Sequence, residues 1–159
     1  MPPTIDPNSF GFLVTDLSRL IRAEMDRRVS DAGLGLTPGE GRTLAHAARA
    51  GMVRQNVLAE QIGIEAMTLS TYIDRLEAKG LVERMPDPND RRAKLVRLTE
   101  AASEALGSVN AAAASIRSDA SAAMEPADWA ALLRLLRQAR DNLAELRTAQ
   151  GKAREEAAT

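Results

Sequence analysis

Residues 68–99 constrain the fold more than any other segment, because a polar-faced helix, a glycine and a basic, proline-containing turn follow one another there. The apolar residues of the helix recur at helical spacing and predict one buried stripe: Leu69, Ile73 and Leu76. Gly80 can adopt the left-handed conformation that ends a helix. Two prolines and three turn-forming residues over 86–90 then exclude any continuation of that helix.

The following segment predicts a β-hairpin. Residues 81–85 form a short strand candidate, and residues 94–98 alternate apolar and basic side chains with the period of a half-buried strand. The turn between them brings Arg91 and Arg92 to the tip of the hairpin. Residues 84–97 contain five cations and two acids, a local excess of positive charge that can neutralise DNA phosphates.

Two shorter helices are predicted before this segment. Thr37-Pro38-Gly39-Glu40 is a capping-box pattern with proline at the first helical position, and it predicts a helix that ends at about Ala50. A further helix is predicted over 56–62, and Gly63 supplies the tight turn that leads to the polar-faced helix. This spacing is typical of a helix-turn-helix, and together with the hairpin it predicts a winged DNA-binding fold.

A long helix is predicted before the winged segment. Asp6 and Pro7 are its predicted N-cap and first helical residue, and its length is about twenty residues. The apolar face comprises Phe10, Leu13, Val14, Leu17, Leu20, Ile21, Met25 and Val29. Such a face is too wide for a lone surface helix, so the pattern predicts contact with another subunit.

Two more helices are predicted after the hairpin. The first begins at Thr99-Glu100 and is rich in alanine and serine through Met124, which fits either a packing spine of a dimer or a solvated helix of high propensity. The second begins after Pro126 and carries a near-heptad apolar seam that also requires a partner. Residues 151–159 are charged, lack an apolar stripe and are predicted to be disordered.

The sequence IDRLEAKGLVER, followed by DPNDRRAKLVRLT, resembles the MarR family of bacterial transcriptional regulators. The resemblance extends upstream through GLT at 35–37 and LAE at 58–60, so it covers residues 35–99. Thr71 departs from the pattern, since many members carry arginine there. The resemblance implies a mainly α fold with a small β-hairpin wing, in which N- and C-terminal dimerisation helices flank a winged helix-turn-helix domain.

The resemblance also implies a division of the chain and a homodimer. An N-terminal dimerisation helix is expected at 1–34, the DNA-binding domain at 35–99, the C-terminal dimerisation helices at 100–148 and a disordered tail at 149–159. A two-fold dimer would place its recognition helices in successive major grooves of a palindromic operator in double-stranded DNA. Repression is the usual mode of action in this family.

Seven residues are predicted to contact DNA: Thr68, Ser70, Thr71 and Arg75 in the major groove, and Arg91, Arg92 and Lys94 on the wing. Arg75 is the best candidate for a bidentate base or phosphate contact, although it could instead pair with a carboxylate inside the fold. By resemblance, Arg92 enters the minor groove and Asp90 braces it. Arg91 could also be a solvated residue of the wing.

A small aromatic or phenolic effector is a further implication of the resemblance. It would bind between the winged domain and the dimerisation helices, with unequal affinity for two spacings of the recognition helices. Polar anchors for such a ligand could be Arg19 and Arg22 on the first helix and His46 on the second. A structural or exposed role is the alternative for each of the three.

Composition limits the other classes of function. The net charge of −1 makes binding to nucleic acid depend on the local basic patch. With no cysteine, one histidine, no Gly-rich phosphate loop and no paired carboxylates, the sequence offers no recognisable nucleophile, metal site or cofactor site, so no enzyme activity is expected. The N-terminus lacks a signal peptide and no apolar run could span a membrane, so a soluble cytoplasmic protein is expected.

These patterns together predict a sequence-specific, homodimeric transcriptional regulator, a repressor that a small ligand releases from DNA. The alternative is a winged-helix protein-interaction module without specific DNA binding. The presence of Asp90, Arg91 and Arg92 in the wing argues against that alternative.

Overall fold

The computed structural model describes residues 5–157, with the side chains of residues 91, 152 and 155–157 left outside the description. The fold is mainly helical with a β-hairpin wing, as the sequence predicted, and the hairpin belongs to a small three-stranded antiparallel sheet. The elements are α1 (Phe10–Asp31), α2 (Pro38–Ala50), β1 (Val53–Arg54), α3 (Gln55–Ile62), α4 (Ala66–Ala78), β2 (Val82–Asp87), β3 (Asp90–Leu98), α5 (Ser103–Ala120) and α6 (Pro126–Ala157).

Local sequence signals position the helices that carry the candidate site. At the start of α2 the predicted capping box is confirmed: Thr37 Oγ1 accepts from the Glu40 N–H, and Glu40 Oε2 accepts from the Thr37 N–H at 2.9 Å. Gly63 has a φ of 75°, a left-handed conformation that lets the chain turn sharply from α3 into α4. The stripe predicted on α4 is fully buried, and it packs in one apolar core with residues of α2, α3, β2 and β3.

The sheet has the strand order β1-β3-β2. The hairpin strands are longer than the sequence predicted, because β2 continues through Pro86 and Asp87 and β3 begins at Asp90. Pro86 is tolerated since β2 is an edge strand, where a missing N–H removes no bond from the ladder. The tip of the hairpin is therefore the two-residue connection at Pro88 and Asn89, and the arginines at 91 and 92 belong to β3. Strand β1 was not predicted, since two residues show no periodicity.

The predicted start of α1 is wrong. Ser9, not Asp6, is the N-cap residue, and the helix begins at Phe10. Asp6 instead closes a turn, in which its carboxylate accepts from the Asn8 N–H at 2.9 Å and its carbonyl accepts from the Ser9 N–H at 3.2 Å. An aspartate followed by proline favours such a turn because its short side chain bonds the backbone two residues later.

Helices α5 and α6 depart from their predicted bounds. A single 3-10 turn at Glu100–Ala102 precedes α5, which ends at Ala120, and its buried residues Ala105 and Val109 pack in the core of the same chain. Part of its small-residue face is therefore used within the protomer. Helix α6 continues to Ala157, so the predicted disorder is wrong for 149–157, where alanine, arginine and glutamate favour helix enough to offset one glycine.

Packing divides the chain into two compact units, one that ends at Arg117 and one that begins at Ser118. The four-part division at 34, 99 and 148 stays a prediction. Among residues 5–157, no helix combines the length and the apolar character that crossing a membrane requires.

Candidate nucleic-acid interface

Helix α4 presents a polar face away from its buried stripe. Thr68, Thr71 and Arg75 are exposed on it, whereas Ser70 is half-buried. The Thr71 hydroxyl donates to the carbonyl of Met67 at 3.2 Å, which leaves its methyl group and the two lone pairs of its oxygen for an outside partner. Within residues 5–157, the Arg75 guanidinium forms no direct ion pair, but its charge acts on the Glu40 carboxylate, so the internal pairing considered for it is limited to this longer-range attraction.

Arg84 fixes α4 against the sheet. Its guanidinium reaches Asp74 and Glu77 of α4 at 2.6 Å each, and it also donates to the Ser70 carbonyl at 3.3 Å and to Gln55 of α3 at 3.2 Å. The side chain is only 18% exposed, so these partners, not solvent, satisfy it. The sequence pattern counted Arg84 only among the hairpin cations, because partners spread over two other elements leave no local spacing signal.

A further ion pair holds the C-terminal end of α4 to α2. Lys79 Nζ donates to Glu40 Oε2 at 2.7 Å and to the Gly35 carbonyl at 2.7 Å, and Glu40 is 1% exposed. Burial by itself raises the pKa of Glu40, but the Lys79 hydrogen bond, the Thr37 N–H and the charges of Lys79 and Arg75 outweigh it and lower the pKa. Glu40 is therefore ionised at neutral pH, and the C-terminal half of α4 is tied both to the sheet through Arg84 and to α2 through Lys79.

Asp87 organises the tip of the wing. Its carboxylate is nearly buried and accepts from the Asn89 N–H at 2.8 Å and from Arg54 Nε of β1 at 2.6 Å. The Asn89 hydrogen bond lowers the pKa of Asp87 most; burial opposes this, and the Arg54 ion pair and the Asp90 N–H lower the pKa further. Sequence reasoning treated Asp87 as a turn former and missed this link between the wing tip and β1, which lies 33 residues away in the chain.

The predicted wing residues lie together on β3. Asp90 Oδ1 accepts from the backbone N–H of Arg92 at 3.0 Å, so the contact seen between them is to the backbone of Arg92 and not to its guanidinium. The side chains of Arg92 and Lys94 are exposed. Arg91 also belongs to β3, and its side chain lies outside the described residues.

A cationic cleft of about 410 Å³ separates the wing from the N-terminal ends of α3 and α4. Its lining residues are Arg54, Gln55, Asn56, Ala66, Asp90, Arg92, Ala93 and Lys94. Arg54 is paired with Asp87, which leaves Arg92 and Lys94 facing Asp90 there, and the positive ends of two helix dipoles add to the same field. The cleft is suited to an anion. Its residues from β1 and α3 were missed in the sequence, because only the tertiary fold brings them beside the wing.

The cations elsewhere on the hairpin are occupied. Arg97 of β3 is half exposed and pairs with Glu83, its cross-strand neighbour in the register of the sheet. The described basic residues of the hairpin therefore form two groups. Arg92 and Lys94 line the cleft and are available to a ligand, whereas Arg84 and Arg97 are held in ion pairs within the fold.

The three candidate effector anchors do not line the cationic cleft. On α1, Arg19 and Arg22 are exposed, and Arg19 donates weakly to Asp16 at 3.4 Å. His46 on α2 is half-buried; burial lowers its pKa most, and the nearby charges of Arg49 and Arg42 lower it further. His46 is therefore a neutral imidazole at pH 7, able to donate one hydrogen bond and accept another. In the part of the chain that is described, no three His, Asp or Glu side chains are grouped to hold a metal ion.

The arrangement of α3, α4 and the wing matches known regulators. The sequence model of the MarR family matches residues 36–94. A solved structure of transcriptional regulator PA3341 is 36% identical, with 86% of this chain and 99% of that chain covered and a TM-score of 0.72. This chain belongs to the MarR family of transcriptional regulators. The family assignment accounts for the winged DNA-binding fold and confirms the resemblance seen in the sequence.

Two further MarR-family structures share the fold at lower identity. A mutant of MarR from E. coli, complexed with operator DNA, is 23% identical, with 81% of this chain and 91% of that chain covered and a TM-score of 0.63. The PcaV transcriptional regulator from Streptomyces coelicolor, in complex with its natural ligand, is 21% identical, with 87% and 97% covered and a TM-score of 0.64.

Proposed function

We propose that this protein is a homodimeric repressor that binds a palindromic operator in double-stranded DNA and is released by a small aromatic or phenolic ligand. Helix α4 reads base edges in the major groove through Thr68, Ser70, Thr71 and Arg75. The wing reaches the minor groove with Arg92, braced by Asp90, while Arg91 and Lys94 contact phosphates. The operator-bound E. coli MarR and the ligand-bound PcaV support both halves of the proposal by fold.

The observation that carries the DNA-binding proposal is the position of the cationic cleft beside the exposed face of α4. Ala66, the first residue of α4, lines the cleft together with Arg92 and Lys94. A backbone phosphate in the cleft would therefore lie next to the N-terminal end of the helix, which is the end that contacts bases in helix-turn-helix proteins. Phosphate neutralisation supplies affinity, and the polar face supplies sequence discrimination.

The homodimer proposal follows from the apolar face of α1. Phe10, Leu13 and Leu20 are 60%, 53% and 53% exposed in the protomer. A contiguous apolar face of this size marks an interaction surface, and a second copy of the chain would cover it. Two copies would also present two α4 helices to the two halves of a palindrome.

The effector proposal relies on His46. A neutral, half-buried imidazole can hydrogen-bond a phenol or a carboxylate without the cost of burying its own charge. A ligand held there would act on DNA binding only if it preferred one spacing of the two α4 helices. Arg19 and Arg22 would approach the ligand only in the assembled dimer.

Fluorescence anisotropy on duplex DNA from the upstream region of the gene, against a scrambled duplex and over a salt series, tests the DNA-binding proposal. The wild type is expected to prefer the upstream duplex, to weaken steeply with salt and to bind more weakly after Arg92→Ala. Arg97→Ala is the matched control, since it removes the same charge from a residue already paired with Glu83. Equal, weak binding to both duplexes, unchanged by Arg92→Ala, would contradict sequence-specific DNA binding and favour the alternative of a protein-interaction module.

The same assay tests the effector with a panel of hydroxybenzoates. A member of the panel is expected to lower the affinity for the preferred duplex, and His46→Gln is expected to reduce its potency. No response to any member, or an unchanged potency in His46→Gln, would contradict the proposed ligand class or the proposed anchor.

A further inference from the structure

Met67, the second residue of α4, is the most exposed large apolar side chain among residues 5–157, at 82%. It contributes nothing to the core that the rest of the helix packs against. A methionine side chain forms only weak hydrogen bonds with water. Exposure to solvent therefore does not favour methionine over a polar residue at this position. Its place on this helix therefore needs a reason outside the protomer.

The surroundings of Met67 point towards DNA. Ala66 lines the cationic cleft, and the exposed Thr68 and Thr71 lie on the same polar face of α4. The Met67 carbonyl accepts from the Thr71 hydroxyl, so the Thr71 side chain is held against the first turn of the helix, one turn from Met67. The N-terminal turn of a recognition helix is the part that reaches base edges in the major groove.

We propose that Met67 is a specificity-determining residue that contacts the C5-methyl group of a thymine in the major groove. Thymine is the only unmodified DNA base with a methyl group there, and a thioether has no hydrogen-bond donor and only a weak acceptor, so an apolar contact is the strongest one that it can make to a base edge. The contact would bury apolar surface on both partners. This inference rests on the proposed DNA binding and adds to it the base that one side chain selects.

The test replaces thymine by deoxyuridine, which differs only by the missing methyl. The operator is first obtained by selection from a random duplex pool with the full-length protein, and each thymine is then substituted in turn. One symmetric pair of positions is expected to weaken wild-type binding by roughly fourfold in one half-site, as the loss of one buried methyl predicts, and by roughly fifteenfold in both.

Variants assign that loss to Met67. Met67→Ala and the polar Met67→Gln are expected to bind the thymine and deoxyuridine operators equally, whereas Met67→Leu keeps the preference because it keeps an apolar side chain. Met52→Ala is the matched control: Met52 is also an exposed methionine, at 51%, but it lies outside α4, and its removal should leave the preference intact.

The possible outcomes distinguish failure of the thymine contact from failure of the proposed DNA binding. Failure to select any preferred duplex would overturn the proposed sequence-specific DNA binding, and the thymine contact with it. Selection of an operator in which no position distinguishes thymine from deoxyuridine would overturn the contact alone. So would an equal deoxyuridine penalty in the wild type and in Met67→Ala.

Discussion

Helices α4 and α1 carry the same kind of apolar periodicity, but only α4 buries it inside the protomer. Leu69, Ile73 and Leu76 are 0% exposed on α4, whereas Val29 is the one buried residue of α1. The difference shows that an apolar stripe in the sequence predicts that a helix face is buried, but does not predict which part of the same chain or which other subunit buries it. On α4 the cover is the core of its own unit; on α1 the proposed cover is a second copy of the chain.

The charged residues of the two regions differ in the same way. Glu40 is buried and joins α2 to the end of α4 through Lys79, across 39 residues of sequence. Glu24 on α1 pairs instead with Arg27 and Arg28 of its own helix and is 44% exposed. The Glu24 pairs therefore only support the helix itself. Helix α1 has one described ion pair to another element, between Asp26 and Arg42 of α2 at 3.2 Å, whereas in the winged segment Glu40, Asp87 and Arg84 all pair between elements.

Truncating the buried stripe of α4 should produce the largest effect. Ile73→Ala leaves a cavity in the core, so we expect it to lower the free energy of unfolding by about 2–5 kcal/mol, measured by urea denaturation. Thr68→Ala, on the exposed face of the same helix, is the control and should change stability by less than about 0.5 kcal/mol. Equal losses in the two variants would mean that α4 does not pack on the core as described.

Charges on the apolar face of α1 test whether a second copy covers it. Leu13→Asp with Leu20→Asp should convert the protein from a dimer to a folded monomer in sedimentation velocity and weaken operator binding by at least about tenfold, because each half-site would be bound singly. Thr15→Asp with Ala23→Asp adds the same two charges outside the stripe and should remain dimeric. If the double Leu variant still sedimented as a dimer, the apolar face of α1 would not be the dimer interface.

Acid should reveal the smaller contribution of Glu40. Its pKa is lowered in the folded state below the ordinary value of 4.5, so its stabilisation is complete above that value and is lost as the pH falls through the lower folded value. Glu40→Gln should cost about 1 kcal/mol at neutral pH and flatten the loss of stability as the pH falls below 4.5. Glu24→Gln should flatten it less, because solvent screens that exposed pair. Identical pH profiles would contradict the role of the Glu40–Lys79 pair.

Much of the winged segment was predictable because its signals are local. The capping box at Thr37, the buried stripe of α4 and the turn at Gly63 each depend on residues within a few positions of one another. The misplaced start of α1 arose where two local signals competed, since aspartate before proline favours a turn as well as an N-cap. The candidate DNA-contact residues came from the same local patterns and stay predictions.

The sequence by itself determined the order of the helices and the hairpin and the presence of a winged DNA-binding fold, since helix caps, periodicity and turn formers act over one or two turns of chain. Only the tertiary structure decided which charges are free. It tied Arg84 to α4, joined Asp87 to Arg54 and left Arg92 and Lys94 beside a cleft formed from four elements. A charge is occupied or available according to partners that are distant along the chain, and no local pattern records them.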